Sequence, residues 1–312
     1  MHVSKINKYI HLIDLEPAGI KNFVGCYVLI GENTAIVETG PASTVQNLLL
    51  GLEELGVEPK EVEYVAVTHI HLDHSGGAGK LMKHLPKAKL LVHPRGAPHM
   101  ANPENLWIKS SEALRELAKI YGKPEPLSQE RIIAVSDGMT FDLGNEIRLK
   151  ATETLGHASH HIAYYEPQSN GVFTGDAVGV HLSKFNLVIP ITPPPFRMEK
   201  ALASLEKLGE LQTTFLYFTH FGMASPPKEK LEACKRRLEL WERITRKGIE
   251  RGQGLEAIRD AILENDTTLR KAEDFIKTHP ILRETVFDLS MKGVMRYVAK
   301  HRTPDKIPIL DN

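Results

Sequence analysis

Short apolar runs broken by Gly, Pro, Asn and Asp fill the first two thirds of the chain, and amphipathic stretches fill the last third. Residues 8–14 alternate apolar and polar side chains and predict a strand. Residues 23–30 and 35–38 predict two more, joined by a turn at Gly31-Glu32-Asn33. A helix is expected over 43–55, after Thr39-Gly40-Pro41 closes the third strand. The apolar run 62–67 reads as a buried strand, 78–85 as a helix, and 89–92 as a strand broken by His93-Pro94-Arg95-Gly96. Residues 97–122 are helical or loop-like, with a helix over 111–120. They interrupt two blocks of strands, which marks them as a candidate lid.

Strands resume at 131–135, 139–141 and 146–151, the last two joined by a turn at Asp142-Leu143-Gly144-Asn145. A hairpin is expected from 162–165 and 171–173, and a strand at 214–218. Between these lie an extended, rigid segment, Ile191-Thr192-Pro193-Pro194-Pro195-Phe196, and a helix over 198–208. After Ser225-Pro226-Pro227 the pattern changes. Leu231, Cys234, Leu238, Trp241 and Ile244 recur at spacings of three and four, and shorter helices follow over 255–263, 269–277 and 281–299. The expected organisation is a strand-rich domain over 1–225 and a helical C-terminal region over 226–312.

Composition narrows the function classes. The 312 residues are 42% hydrophobic and 25% charged, ordinary for a globular chain with a sizeable core. The formal net charge of zero gives no global reason to expect nucleic acid or an acidic membrane as partner. The N-terminus has no apolar signal core, and no apolar run approaches a membrane span. A cytoplasmic protein is therefore expected. Cys26 lies in a strand-like run and Cys234 on an apolar helix face, so both read as packed thiols. The 15 histidines exceed ordinary usage and favour a metal site.

The chemistry concentrates in Thr68-His69-Ile70-His71-Leu72-Asp73-His74-Ser75-Gly76-Gly77. Three imidazoles and a carboxylate leave the end of a strand together, just before a Gly pair and a helix. His69 and His71 can reach toward one point, Asp73 and His74 toward a second. A metal needs three or four such ligands, so this loop completes neither site alone. Three more loops, each after an expected strand, carry His157, Asp176 and His220. A cluster of surface histidines is the bland alternative, and the density of ligand-type side chains beside the Gly pair argues against it.

The His69-x-His71-x-Asp73-His74 run, Gly156-His157, Gly175-Asp176 and Thr219-His220 resemble the motifs of metallo-β-lactamase-fold hydrolases, in that family's order and over residues 1 to about 225. The resemblance implies an α/β fold, a four-layer αββα sandwich, here with a C-terminal helical extension. It implies two divalent metal ions, zinc foremost with iron or manganese as alternatives. His69, His71 and His157 would hold one ion, and Asp73, His74 and His220 the other. Asp176 would bridge them, with Asp73 and Asp176 also catalytic. Two such ions can share a hydroxide of lowered pKa, and no Ser, Cys or Lys nucleophile is then needed. Thr68 and Thr219 are candidates to orient the imidazoles, or else simple strand ends. His161 and His181 are candidates for a supporting or pocket-lining place, with His160 beside them. His84 and His99 read as surface residues and His93 as a loop residue.

Within the family the nearest branch is glyoxalase II-like, whose helical C-terminal region helps hold a thiol carrier. Ala177-Val178-Gly179-Val180-His181 departs from the Gly-Cys-Gly-Arg-type sequence of those enzymes, and Gly179 stands where lactonases of this fold carry a Tyr. The expected function is a metal-dependent hydrolase acting through a dinuclear-metal-bound hydroxide on a small ester or thioester-like acyl substrate. The alternatives are a mononuclear-iron persulfide dioxygenase-like oxidoreductase, a lactonase, or a nuclease of the same fold. Met100, Trp107, Phe196 and Trp241, with Arg95, Lys184 and Arg197, are available for the pocket, with core packing the bland alternative for each aromatic and the expected place of Trp241. No nucleic acid or membrane partner is expected, and a homodimer is compatible with the pattern.

Overall fold

The computed structural model describes residues 2–301. Its first sheet has seven strands in chain order: β1 (His2–Lys5), β2 (Ile10–Asp14), β3 (Gly25–Ile30), β4 (Thr34–Val37), β5 (Val62–Ala66), β6 (Lys89–Val92) and β7 (Ile132–Ala134). β1 to β4 form an antiparallel meander, and β4 to β7 run parallel with helical crossovers. The chain continues through β8 (Thr140–Asp142), β9 (Arg148–Glu153), β10 (Ile162–Glu166), β11 (Gly171–Phe173), a separate hairpin of β12 (Val180–Leu182) and β13 (Leu187–Ile189), then β14 (Phe215–Phe218) and β15 (Gly222–Ala224). The second sheet has the order β15-β14-β11-β10-β9-β8, with β11 and β14 parallel across the helix Met198–Glu210.

Alternation along the strands explains the layers. Ile10, Leu12, Tyr27 and Leu29 point from the first sheet into a core shared with Leu149, Tyr164, Phe173 and Tyr217 of the second. Tyr27 meets the Phe173 ring edge-on at 5.1 Å between centroids. The opposite side of the first sheet, with Cys26, Val28, Ile36 and Val65, packs on Val45, Leu48, Leu52 and Leu81 of the crossover helices. The outer side of the second sheet, with Ala163, Val172, Leu216 and Phe218, packs on Leu205, Leu208, Leu231 and Leu238. The result is the expected α/β sandwich of two sheets between helices, with further helices C-terminal to it. Cys26 and Cys234 are buried free thiols. No helix among the described residues is long and apolar enough to cross a membrane.

Three details differ from the sequence reading. β1 pairs at the sheet edge although its residues are polar and short of any apolar signal. The β12–β13 hairpin is too brief for a period to register. The helix expected over 111–120 is split into Glu104–Leu114 and Glu116–Tyr121 at Arg115, whose φ is 50°. Beyond β15, the helix Pro227–Glu250 buries Trp241 fully. Leu255–Asn265, Thr267–Lys271, Glu273–Thr278 and a π-helical stretch Arg283–Ser290 follow, and the last runs straight into Met291–Lys300. Asp266 caps Thr267–Lys271, its carboxylate accepting from Leu269 N–H at 3.0 Å while pairing with Arg237 at 2.8 Å.

Candidate metal centre

Five loops meet at one edge of the sandwich: those after β4, β5, β11 and β14, and the one between β9 and β10. Backbone hydrogen bonds lace them together. Thr39 N–H donates to His74 O, Ile162 N–H to Thr68 O, and Gly25 N–H to Thr219 O, at 2.8–2.9 Å. Gly175 lets the Asp176 loop dock. Its φ is +49°, and a Cβ there would lie 2.4 Å from Thr68 Oγ1 and 2.7 Å from His161 Nε2.

All seven residues singled out from the sequence converge there. His69 Nε2 lies 2.9 Å from His71 Nδ1, which lies 3.0 Å from His157 Nε2. Asp176 Oδ2 is 3.3 Å from His157 Nε2 and 4.0 Å from His69 Nε2. On the other side, His74 Nε2 and His220 Nε2 are 3.2 Å apart. Asp73 Oδ2 is 3.6 Å from His220 Nε2, and Asp176 Oδ1 lies 3.5 Å from His74 Nε2 and 3.6 Å from His220 Nε2. The two oxygens of Asp176 thus face different histidine groups, His69–His71–His157 and His74–His220 with Asp73.

The outward ring nitrogens define the tautomers. His157 Nδ1–H donates to Ile191 O at 2.8 Å and His220 Nδ1–H to Phe23 O at 2.7 Å. His74 Nδ1 lies 2.9 Å from Glu38 Oε1. The Thr68 hydroxyl donates to Glu38 Oε1 at 2.5 Å and so accepts from His69 Nδ1–H at 3.0 Å. Nε2 of His69, His157 and His220 is left with its lone pair aimed inward, and His71 turns its Nδ1 to the same point. His74, the ring that the carboxylates favour in its protonated form, turns Nε2 toward Asp176 Oδ1. Glu38 also accepts from Thr68 N–H and from the Thr219 hydroxyl, both at 3.2 Å. It is fully buried, with φ 71°. Glu38 was not singled out from the sequence. Its one local sign is its place at the end of a strand before Thr39-Gly40. Thr68 and Thr219, by contrast, sit beside ligand-type residues and hold them through Glu38.

This donor set fits a cation. Lone pairs on several nitrogens about 3 Å apart repel one another unless positive charge lies between them, and Asp176 Oδ1 is buried without a hydrogen-bond partner. Burial, with the neighbouring imidazoles, pushes His69 and His71 well below the ordinary histidine pKa. Burial also lowers His157, partly offset by Asp176. Burial would lower His74 as well, but Asp176, Glu38 and Asp73 outweigh it and hold that ring well above the usual value. Burial opposes ionisation of Asp176, yet His74, His157 and His220 hold its carboxyl well below the usual range. Neutral imidazoles and an ionised carboxylate are what zinc or iron take as ligands.

His161 lies behind Asp176. Its Nε2 accepts from Asp176 N–H at 3.1 Å and its Nδ1–H donates to the Thr154 hydroxyl at 2.8 Å. His181 lies on β12, its ring stacked on Phe218 and its Nδ1–H donating to Phe221 O at 3.3 Å. It lines a groove behind His220 rather than the cavity over Asp176.

A cavity of about 360 Å³ opens onto His71, Asp73, His157 and Asp176. Three segments wall it: the 97–122 insertion through Leu106, Leu114 and Tyr121, the 191–195 segment through Ile191 and the prolines, and the C-terminal helices through Thr285 and Leu289. Met100 is a core side chain and not part of the wall, and Trp241 lies in the core as expected of it. Phe196 packs in the outer core of the second sheet beside a small void that it shares with His157 and Asp176. Trp107, Arg95, Lys184 and Arg197 are also absent from the wall, Arg95 donating instead to Ser159 O at 3.0 Å. His99, expected at the surface, lines the cavity, as does His160. His93 pairs with Glu153 at 3.0 Å. Tyr121, unremarked in the sequence, brings its hydroxyl 3.5 Å from Asp73 Oδ2, and burial keeps that phenol protonated by raising its pKa well above the usual value.

Comparison with known proteins agrees with this architecture. The profile described as Metallo-beta-lactamase superfamily matches residues 21–220. The metallo-beta-lactamase fold-containing protein ST1585 of Sulfurisphaera tokodaii is 29% identical over 222 residues, which span 70% of this chain and 80% of that one. The crystal structure of ST1585 aligns with TM-score 0.64 at 28% identity, over 74% of this chain and 87% of that one. The metallo-beta-lactamase family protein TTHA1429 of Thermus thermophilus aligns with TM-score 0.71 over 95% of both chains, a likeness of fold at 21% identity. The matched span runs from the strand-rich meander through His220 and includes both histidine groups, and the chain belongs to the metallo-beta-lactamase superfamily.

Proposed function

We propose that the protein is a metal-dependent hydrolase that uses two divalent ions, most simply zinc, on a small ester or thioester-like acyl substrate. The observation that carries this reading is Asp176, whose Oδ2 faces His69, His71 and His157 and whose Oδ1 faces His74 and His220. His69, His71, His157 and Asp176 Oδ2 would hold one ion. Asp73, His74, His220 and Asp176 Oδ1 would hold the other. Metal held by these residues would supply a water of lowered pKa as nucleophile and would polarise the oxygen of the group attacked.

The chain's own residues do the rest. Thr68, Glu38, Ile191 O and Phe23 O hold the rings of His69, His74, His157 and His220 in their orientations. Leu106, Leu114, Leu117 and Leu289 keep water from the acyl chain, and the Tyr121 hydroxyl is a neutral donor beside Asp73. A cavity of about 360 Å³ with these apolar walls suits an acyl group better than a polynucleotide.

The test joins metal content to a substrate panel. Protein purified without chelator is expected to hold close to two equivalents of metal, and to cleave thioesters or esters in preference to phosphodiesters and β-lactams. A single iron with dioxygen consumption on a persulfide, or turnover of phosphodiesters alone, would overturn the reading.

A further inference from the structure

The segment 191–195 has two sides, and only one faces the metal cavity. Pro194 and Pro195 wall both that cavity and a second groove of about 320 Å³. Arg197, Arg296, Lys300 and His301 line the second groove, over a floor that includes Phe196 and Tyr297. Among the described residues, none of the Arg197, Arg296 and Lys300 side chains pairs with a carboxylate. The one acid lining the groove, Glu199, is engaged by the Tyr297 hydroxyl at 2.5 Å.

The groove is built by backbone contact rather than by chance exposure. A Cβ on Gly293 would lie 1.7 Å from Thr192 O, so the helix Met291–Lys300 lies directly against the proline segment. The Thr192 hydroxyl donates to Ser290 O at 2.7 Å, and Thr192 N–H donates to Ser290 Oγ at 3.2 Å. These contacts fix the helix that carries Arg296 and Lys300 against the segment that leads into Arg197, and the three line one groove.

We propose that this groove is a phosphate-binding subsite, which takes the phosphate-bearing end of a substrate whose acyl end enters the metal cavity across Pro194-Pro195. Three cations and a histidine exceed what a single carboxylate needs, and guanidinium forks match phosphate oxygens. The inference rests on the acyl-hydrolase reading for what lies at the metal end, and on the groove alone for the anion.

The experiment separates the two. Binding of inorganic pyrophosphate to the full chain is measured by calorimetry at low and at physiological salt. The wild-type protein is expected to bind it, and Arg296→Ala with Lys300→Ala to bind it at least about tenfold more weakly. Lys292→Ala, an exposed lysine of the same helix outside the groove, is expected to bind as the wild type does. With acyl substrates, the double variant should raise KM for a phosphorylated thioester about tenfold and leave kcat and the KM of an unphosphorylated thioester unchanged. Absence of pyrophosphate binding, equal loss in Lys292→Ala, or equal effects on both thioesters would overturn the subsite. Pyrophosphate binding lost only in the double variant, with no acyl compound cleaved, would uphold the subsite and overturn the acyl reading.

Discussion

Replacing Glu38 with alanine removes one acceptor from four donors: Thr68 N–H, the Thr68 and Thr219 hydroxyls, and His74 Nδ1, at 2.5–3.2 Å. Glu38, Thr68 and His74 are fully buried, so water cannot take over these bonds without opening the core. A buried donor left unpaired costs about 1–3 kcal/mol, and breaking a buried carboxylate–histidine pair about 3–5 kcal/mol. Because the four bonds share one carboxylate, their losses do not add. The expected fall in unfolding free energy of metal-free Glu38→Ala is therefore about 3–5 kcal/mol. Loss of the partner that orients His74, with Thr68 no longer held against His69, should weaken metal binding about 10- to 100-fold. Urea unfolding of chelator-treated protein reads the first quantity, and metal competition against a chromophoric chelator reads the second. Glu38→Gln, which keeps the shape and one acceptor, should fall between. If both variants stay within about twofold of wild-type affinity and about 1 kcal/mol of its stability, Glu38 is not what assembles the site.

Asp176→Ala should release metal from both histidine groups together and abolish turnover. Metal analysis that finds a single group depleted, with activity kept, would show that Asp176 does not bridge. The metal-free chain should lose stability as pH falls from about 7 to 5. Burial holds His69, His71, His157 and His161 below their ordinary value, so the unfolded chain takes up protons there, near pH 6.5, before the folded one does. His74, raised in the folded state, contributes the opposite sign, with stability lost as pH rises through its folded value, but it is one ring against four. A urea midpoint that is flat or rising toward pH 5 would contradict this balance. Gly293→Ala should cost about 1–3 kcal/mol by pushing Met291–Lys300 off Thr192, with metal content retained and KM raised. Unchanged KM would show that this helix does not shape the cavity.

The sequence alone determined the family resemblance, the alternation of the two sheets and the seven convergent residues. Each of those residues follows a strand within a few positions, on a loop or, for Asp73 and His74, on the short helix Leu72–Ser75, and belongs to a side-chain type that binds metal, and both properties are local. The strand periods, the Gly-punctuated turns and the amphipathic stripe of Pro227–Glu250 are local as well. Tertiary structure decided the rest. Glu38 is a lone acid after a strand, and only the pairing of β4 with β5 and the approach of β14 bring it under Thr68, His74 and Thr219. Tyr121 and His99 reach the cavity because the 97–122 insertion folds back over Asp73, which no period encodes. Phe196 and Trp241 went into the cores, where their area is removed from water, and Trp107 packs half-buried against one. The cavity wall was left to leucines and prolines from segments far apart in the chain. Which oxygen of Asp176 faces which histidine group depends on distances across five loops, and those exist only once both sheets have closed on each other.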